Sequence, residues 1–97
     1  MYVRAITLPI QPSKVENAIG VFKTTIAPMF QQQKGFKGGY LVGDRNTGKT
    51  LSITLWETEA EASALDSSGF YEKWTTMLAT FLSGTAAREQ DEVYLSF

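Results

Sequence analysis

The stretch from residue 36 to residue 57, FKGGYLVGDRNTGKTLSITLWE, constrains the fold more than any other part of the chain. It contains two strand-like runs that are separated by a polar turn. At the end of this turn, Gly48 follows Asn46 and Thr47, and it can take the positive φ that a tight turn with a bulge needs. The pattern predicts a β-hairpin.

The second run of this hairpin has two different faces. Because side chains alternate across a strand, the apolar residues Leu51, Ile53 and Leu55 point the same way. This apolar face predicts the side of the strand that packs in the core. The opposite face is small and polar apart from one indole, and it carries Thr50, Ser52, Thr54 and Trp56. We expect whatever lies over this mixed face to decide the function.

The chain before the hairpin predicts one strand and one helix. Residues 2–10 predict a strand that is bounded by prolines. We expect the strand face that carries Arg4 to be buried beyond that residue. Ser13 and Glu16 fit a capping box at the start of the helix, and Pro28 should kink or restart it. Apolar residues at steps of four and three predict its buried stripe: Val15, Ile19, Phe22, Ile26 and Met29.

The chain after the hairpin predicts a helical region and a last strand. Thr58 and Glu61 fit a second capping box. A helical turn should follow, with an interruption at 66–69 and a second helical segment beyond it. Residues 92–97 predict the closing strand, in which Val93, Leu95 and Phe97 share a face.

The order of the elements is therefore β, α, β, β, α, β. This order predicts the α+β class, with a ferredoxin-like subunit in which two helices cover one face of a four-stranded antiparallel sheet. A chain of 97 residues is the length of one domain, which we expect to span residues 1–97.

Composition excludes several kinds of site. The chain contains no cysteine and no histidine, so thiolate chemistry, a Ser-His triad and histidine ligands to a metal or haem are absent. Nine basic and ten acidic residues give no electrostatic signature of nucleic-acid or membrane binding. The chain shows neither an apolar run of about 20 residues nor a signal-peptide pattern, so we expect a soluble, cytoplasmic protein. We also expect a protein without a metal or cofactor.

The second face of the predicted sheet has no helix to cover it. It would carry Trp56, Tyr40, Val42 and Phe36, or the neighbours of these residues on the opposite face. An apolar, aromatic face of that size is rare on a soluble monomer. The simplest cover is a second sheet, which predicts a homodimer through sheet faces. A modestly apolar face exposed to water is the alternative.

Seven residues are candidates for a small-molecule site. Trp56 could stack on a flat aromatic ligand or fill the core, and Trp74 lies on an apolar stripe that favours core packing. Arg4 is either a buried charge that needs a partner or ordinary surface at the strand edge. The others offer hydroxyl groups at a possible pocket wall: Tyr40, Ser52, Thr54 and Tyr71.

The central stretch GFKGGYLVGDRNTGKTLSITLWETEAEA resembles the antibiotic biosynthesis monooxygenase (ABM) family. The matching features are Gly35-Phe36 after the first helix, Leu55-Trp56-Glu57 at the end of a strand, the acidic capped turn that follows, and a final strand like Val93-Tyr94-Leu95. The resemblance covers nearly the whole chain and implies the dimeric α/β-barrel fold. The superfamily includes cofactor-free oxygenases, haem degraders and stress-induced proteins.

The catalytic patterns of that family transfer only in part. Its cofactor-free oxygenases pair the strand-closing Trp, here Trp56, with an Asn four residues earlier and a Tyr shortly after. Ser52 stands in the place of the Asn, and Ala60 and Ala62 stand where the Tyr would be. The haem-degrading branch uses a His that this chain lacks, with Trp74 at about its position, so haem degradation by that route is excluded.

Two functions follow from the resemblance and the residues together. The first is a cofactor-independent monooxygenase that acts on an aromatic or polyketide-like small molecule. The second is a non-catalytic dimeric protein that binds a small molecule or is associated with stress. A pocket between sheet and helices with Trp56 partly exposed inside it would favour the first, and a filled core would count against it.

Overall fold

The computed structural model describes residues 1–97 and shows an antiparallel sheet of four strands with the helices on one face. The strands are β1 (Tyr2–Pro9), β2 (Phe36–Gly43), β3 (Lys49–Trp56) and β4 (Ala87–Glu92). Their order across the sheet is β2-β3-β1-β4. The helices are α1 (Val15–Val21), α2 (Ala27–Gln31), α3 (Glu59–Ser67) and α4 (Phe70–Thr76). The predicted ferredoxin-like subunit and its hairpin are confirmed.

The helical region between β1 and β2 is continuous but irregular. A 3₁₀ turn (Pro12–Lys14) precedes α1, and a π-helical turn (Phe22–Ile26) joins α1 to α2. The predicted Ser13 cap is absent, and the Glu16 carboxylate instead accepts a hydrogen bond from Arg45. Pro28 lies in the first turn of α2, but the helix does not restart there, because the preceding π-helical turn runs directly into α2 with helical backbone angles at Ile26 and Ala27.

The π-helical turn also changes which side chains are buried. The buried residues of this region are Val15, Ala18, Phe22, Ile26 and Phe30. From Ala18 onward these buried residues are spaced four apart, because a π-helical turn holds more residues than an α-helical one. Phe30 therefore takes the core position that regular spacing predicted for Met29, and Met29 is only partly buried.

The last part of the chain differs from the prediction at the closing strand. Thr58 caps α3 as expected, since its hydroxyl accepts a hydrogen bond from the Glu61 amide at 3.2 Å. The strand, however, is Ala87–Glu92 rather than 92–97. Pairing ends because β1 begins at Tyr2, which faces Glu92, and one further bond joins the Val93 amide to the Met1 carbonyl. Residues 93–97 have no strand beside them, and Tyr94, Leu95 and Phe97 are highly exposed.

The two faces of β3 are reversed relative to the prediction. Trp56, Ser52, Thr54 and Thr50 are buried under the helices, whereas Leu51, Ile53 and Leu55 are half-buried on the uncovered side. The reason lies in the neighbouring layers. On β1, Ile6 and Leu8 pair with Ser52 and Thr50, and the helices contribute bulky aromatic rings above them. Small side chains on β3 fit beneath those rings, which an isolated strand cannot reveal.

A bulge in β2 breaks the predicted sharing of a face by Phe36 and Tyr40. The register shifts between Phe36 and Gly38, where Gly38 has φ of 139°. Phe36 therefore pairs with Trp56 and packs on the core side, while Tyr40 pairs with Ile53 on the uncovered side. The uncovered face is consequently apolar along β1, β2 and β3, where Leu51, Leu55, Val3, Ala5 and Val42 surround Tyr40 and Ile53. On β4 this face is acidic, because Glu89 pairs with Ala5 and Asp91 with Val3. No helix of the structure has the length and apolar character needed to cross a membrane.

Candidate functional site

A cavity of about 670 Å³ lies between the α1–α2 region and the hairpin. Its floor is the helix-facing side of β2 and β3, and its roof is formed by apolar residues of the first helical region. The roof and inner walls include Ala18, Ile19, Phe22, Ala27, Phe30 and Leu78. This volume falls in the range of pockets that enclose a small organic molecule.

The cavity exists because the floor is built from small residues. The helix-facing positions of β2 after the bulge are Gly39, Leu41 and Gly43. Gly39 pairs with Thr54 and Gly43 pairs with Thr50, so two of the three floor positions on β2 have no side chain. Because β2 is an edge strand and both glycines are exposed, the cavity opens along this edge.

Three hydroxyl groups of β3 lie along the cavity floor, and each has a different set of partners. Ser52 is 1% exposed, and its Oγ has no hydrogen-bond partner. Thr54 Oγ1 accepts a hydrogen bond of 2.8 Å from Trp56 Nε1. Thr50 Oγ1 donates a hydrogen bond of 3.1 Å to the Gly48 carbonyl. A buried hydroxyl without a partner is rare, so Ser52 is the hydroxyl of the cavity floor whose hydrogen-bonding capacity the protein leaves wholly unused.

Charged side chains occur only at the cavity's rim. Lys23, Asp44 and Arg45 line it there, and all three are exposed. An ion pair between Arg45 and Glu16 connects the hairpin turn to α1 beside this rim. No group of three or more acidic, cysteine or histidine side chains is arranged to hold a metal ion.

The structure separates the seven candidate residues into three groups. Ser52 and Thr54 line the cavity from its floor, and Tyr40 borders it, although its side chain belongs to the uncovered face. Trp56 and Trp74 are 0% and 1% exposed and do not line the cavity. Trp56 reaches the cavity only through its hydrogen bond to Thr54, and Trp74 packs edge-on against Phe22.

Arg4 and Tyr71 belong to a second, separate cluster. Arg4 is 3% exposed and forms a two-pronged ion pair with Asp66, at 2.9 Å and 3.1 Å. Arg4 also donates a hydrogen bond of 3.0 Å to Gln90. The guanidinium groups of Arg4 and Arg88 lie 5.7 Å and 4.8 Å from the centre of the Tyr71 ring. This cluster joins the sheet to α3 and α4, and it provides the partner that a buried Arg4 needs.

The ion pair should make stability depend on pH. The hydrogen bonds from Arg4 lower the pKa of Asp66 below its ordinary value of 3.8, although burial of the carboxyl opposes this. Since the carboxyl is more acidic in the folded state, its contribution to stability is complete above about pH 5 and is lost as pH falls below about 4. We expect urea unfolding midpoints to decline between pH 4 and pH 3, and to decline less in Asp66→Asn. An equal decline in both proteins would contradict this assignment.

Several residues of the cavity escaped the reasoning from sequence. Thr50, Gly39 and Gly43 form much of its floor, and Lys23 stands at its rim. The glycines of β2 do suggest that something approaches this strand closely. The structure shows that the neighbour is β3 itself, because a Cβ at Gly39 or Gly43 would collide with the Ile53 or Lys49 carbonyl oxygen.

Comparison with solved structures identifies the architecture around this cavity. A monooxygenase from the gene ActVA-Orf6 of Streptomyces coelicolor, solved with the ligand nanaomycin D, matches 99% of this chain and 89% of its own, with a TM-score of 0.82 and 12% identity. The haem degrader MhuD of Mycobacterium tuberculosis, solved with two haems bound, matches 100% of this chain and 99% of its own, with a TM-score of 0.79 and 16% identity. The chain has an ABM-like fold, since it also matches two structures described as antibiotic biosynthesis monooxygenases, one of them putative, with TM-scores of 0.79 and 0.75. SnoaB, a cofactor-independent oxygenase from Streptomyces nogalater solved as a mutant, shares this ABM-like fold with a TM-score of 0.71 and 14% identity, over 98% of this chain and 94% of that chain.

Comparison with known sequences is less informative than comparison with solved structures. No family model matches the chain. Two uncharacterized proteins of Mycobacterium tuberculosis, MT2635 of strain CDC 1551 / Oshkosh and Rv2558 of strain H37Rv, are each 31% identical to this chain over 58 residues. The match covers 60% of this chain and 25% of each relative, so the chain corresponds to about a quarter of their length.

Proposed function

We propose that this protein binds a flat aromatic or polyketide-like small molecule in the cavity and oxygenates it without a metal or organic cofactor. The observation that carries the proposal is the Ser52 hydroxyl, which is buried, has no hydrogen-bond partner and lies on the floor of a cavity whose roof and inner walls are apolar. Proteins of this fold described as oxygenases, one of them cofactor-independent, support the reaction class.

The cavity suits a flat ligand that bears a few oxygen atoms. Its roof and inner walls are aromatic and aliphatic, so most of the ligand surface would leave water favourably. Ser52 would hydrogen-bond a ligand oxygen. The glycine positions on β2 allow a ring to lie close to the strand.

The reaction fits substrates that ionise readily, such as anthrones and hydroquinones. With an anthrone, loss of a proton from the ring CH₂ gives an enolate, which transfers one electron to O₂ and then forms a C–O bond to the resulting superoxide. The peroxide anion takes back one proton, and loss of water from the resulting hydroperoxide leaves a carbonyl, so that CH₂ and O₂ become C=O and H₂O. The protein would orient the substrate, exclude water and stabilise the anion through the hydroxyls of Ser52 and Thr54.

Binding without catalysis is the second candidate function, and the placement of charges favours it. The ionisable side chains that line the cavity are Lys23, Tyr40, Asp44 and Arg45, and all are exposed. No carboxylate lies beside the hydroxyls in the interior to accept the substrate's proton. The oxygenase function therefore requires that the substrate's proton leave through the side of the cavity that opens along β2.

Ser52→Ala tests both readings in one set of measurements. We expect the variant to keep or slightly raise the free energy of unfolding, because it removes an unpaired buried hydroxyl, and to bind anthrones and hydroquinones about tenfold more weakly. Oxygen consumption by the metal-free protein above the buffer rate, reduced in Ser52→Ala, would support the oxygenase.

The control for this comparison is Ser83→Ala, which removes an exposed hydroxyl outside the cavity. It should change neither affinity nor turnover. Binding without turnover would leave the binding protein as the function. If the wild-type protein binds none of the anthrones and hydroquinones, the proposal is overturned.

We also propose that two copies pair through the uncovered sheet face. That face places Ile53 and Leu55 beside Tyr40, which is 70% exposed, and Val42, which is 43% exposed. Sheets of this kind pack face to face at about 10 Å. The exposed apolar residues of the segment 93–97 would cover further area on the second copy.

A charge at the centre of this face should separate the two copies. We expect Ile53→Glu to be monomeric in sedimentation velocity at a concentration where the wild-type protein is dimeric, because a carboxylate would be desolvated in the interface. Asn17→Glu adds the same charge on the exposed side of α1 and should remain dimeric. A wild-type protein that sediments as a monomer at every concentration would refute the pairing.

A further inference from the structure

We infer that Trp56 is a positioning residue that fixes the Thr54 hydroxyl as a hydrogen-bond donor toward the ligand, so that the site selects a ligand with a carbonyl or oxyanion at Thr54. This inference rests on the proposed function, because it assumes that the cavity binds an oxygen-bearing small molecule. It adds the orientation of that molecule and a role for Trp56 that needs no contact with it.

The three hydroxyls differ in whether their protons and lone pairs are already used by the protein. Each hydroxyl has one proton to donate and two lone pairs to accept with. Thr50 donates its proton to the Gly48 carbonyl, so only its lone pairs are free. Thr54 accepts from Trp56 Nε1 at 2.8 Å and donates to no protein group, so its proton is free. Ser52 has no partner and can act in either way.

The indole fixes which way the Thr54 proton can point, while the second lone pair of Thr54 Oγ1 stays available to accept. Trp56 Nε1 is a donor only, and Trp56 is fully buried, so its N–H must find an acceptor. Thr54 Oγ1 is that acceptor, and the hydroxyl proton then points away from the indole. Thr54 is 5% exposed and lines the cavity, so a ligand acceptor is the group that would use this proton.

Spacing along the strand adds a second constraint on the ligand. Residues two apart on one face of a strand are about 6.6 Å apart. A ligand whose carbonyl meets Thr54 would therefore need a second oxygen near Ser52. The two para oxygens of a quinone or its hydroquinone lie somewhat closer together than the two residues, so they reach both hydroxyls when the two hydrogen bonds converge on the ring. The fixed donor at Thr54 would stabilise the oxyanion that forms when such a ligand loses a proton.

The test measures the binding and the carbonyl stretching frequency of 1,4-naphthoquinone, a probe that can only accept hydrogen bonds. The chain has no cysteine that could react with a quinone. In wild-type protein both carbonyl bands should move to lower frequency on binding, one through Thr54 and one through Ser52. Thr54→Val should abolish the shift that comes from Thr54 and weaken binding about tenfold, and Thr54→Ser should restore both.

Thr85→Val is the matched control, because it makes the same change of hydroxyl to methyl at an exposed position outside the cavity. It should leave the carbonyl shift in place and the affinity within about twofold of wild type. Trp56→Phe keeps the Thr54 hydroxyl and frees it to rotate, so the shift should become smaller and broader. If Thr54→Val fails to fold, the double variant Thr54→Val/Trp56→Phe removes both hydrogen-bond partners together and is expected to fold.

The outcomes distinguish this inference from the proposed function. Naphthoquinone bound by wild-type protein with neither carbonyl band shifted, or with the same two shifts in Thr54→Val, would overturn the role of Thr54 and leave the cavity as a binding site. An unchanged shift in Trp56→Phe would overturn the positioning role of Trp56. No binding of the quinone to wild-type protein would overturn the ligand class, and this inference with it.

Discussion

Asp66→Ala is expected to lower the free energy of unfolding by about 3 kcal/mol, as measured by urea titration at pH 7. The reason is that the substitution leaves Arg4 buried without its acidic partner. That guanidinium is 3% exposed, and Asp66 accepts two of its three hydrogen bonds to side chains. Without Asp66, a buried positive charge keeps only the neutral Gln90 amide as a side-chain partner. Asp66 is itself 36% exposed, which places the expected cost at the lower end for a broken buried pair.

A second substitution separates this explanation from a loss of packing. Arg4→Met in the Asp66→Ala background removes the stranded charge, so the double variant should return to within about 1 kcal/mol of wild type. Glu72→Ala serves as the control, because Glu72 is an exposed carboxylate in α4 without an ion pair in the structure. If the double variant loses as much free energy of unfolding as Asp66→Ala and Arg4→Met lose together when measured separately, Arg4 and Asp66 act independently.

Trp74→Ala is expected to cost about 4 kcal/mol of stability, the largest loss for any single side chain considered. Trp74 is 1% exposed, and its ring lies 5.8 Å from Phe22, 5.5 Å from Phe30 and 6.0 Å from Tyr71, centre to centre, in edge-on geometry. Truncation would open a large cavity between α1, α2 and α4 and would remove these aromatic contacts. Thermal and urea unfolding would measure the loss.

The more conservative variant Trp74→Phe tests whether Trp74 also belongs to the binding site. It should cost less than half as much stability as Trp74→Ala and leave ligand affinity unchanged, because Trp74 does not line the cavity. A Trp74→Phe protein with wild-type stability and tenfold weaker binding would instead place Trp74 at the ligand, as one interpretation of the sequence had it.

The sequence predicts the order of elements better than the faces that they bury. Turn residues, apolar spacing and the Thr58 cap are local signals, and the hairpin and four-stranded sheet that they predict are present. The burial of β3 depends on its neighbours, and Leu51, Ile53 and Leu55 lie on the uncovered face instead of in the core. The closing strand was also predicted too late in the chain, because its end depends on where β1 begins.

The candidate site shows the same division. Ser52 and Thr54 could be named from the sequence because they share the mixed face of a predicted strand with Trp56. Their chemical roles could not, since they depend on partners: an indole N–H for Thr54, the Gly48 carbonyl for Thr50 and no partner for Ser52. Arg4 was open to two interpretations from the sequence, and its partner Asp66 lies 62 residues away along the chain.

Local signals in the chain thus set the fold class, the positions of the hairpin and helices, and the absence of cysteine and histidine chemistry. These properties follow from composition and from periodicities of a few residues, which the backbone imposes locally. Three-dimensional packing set which face of β3 is covered, where the cavity lies and which hydroxyl keeps a free proton. Those properties arise from contacts between residues far apart in the chain, and they exist only once the strands are in register and the π-helical turn has set the helix above them.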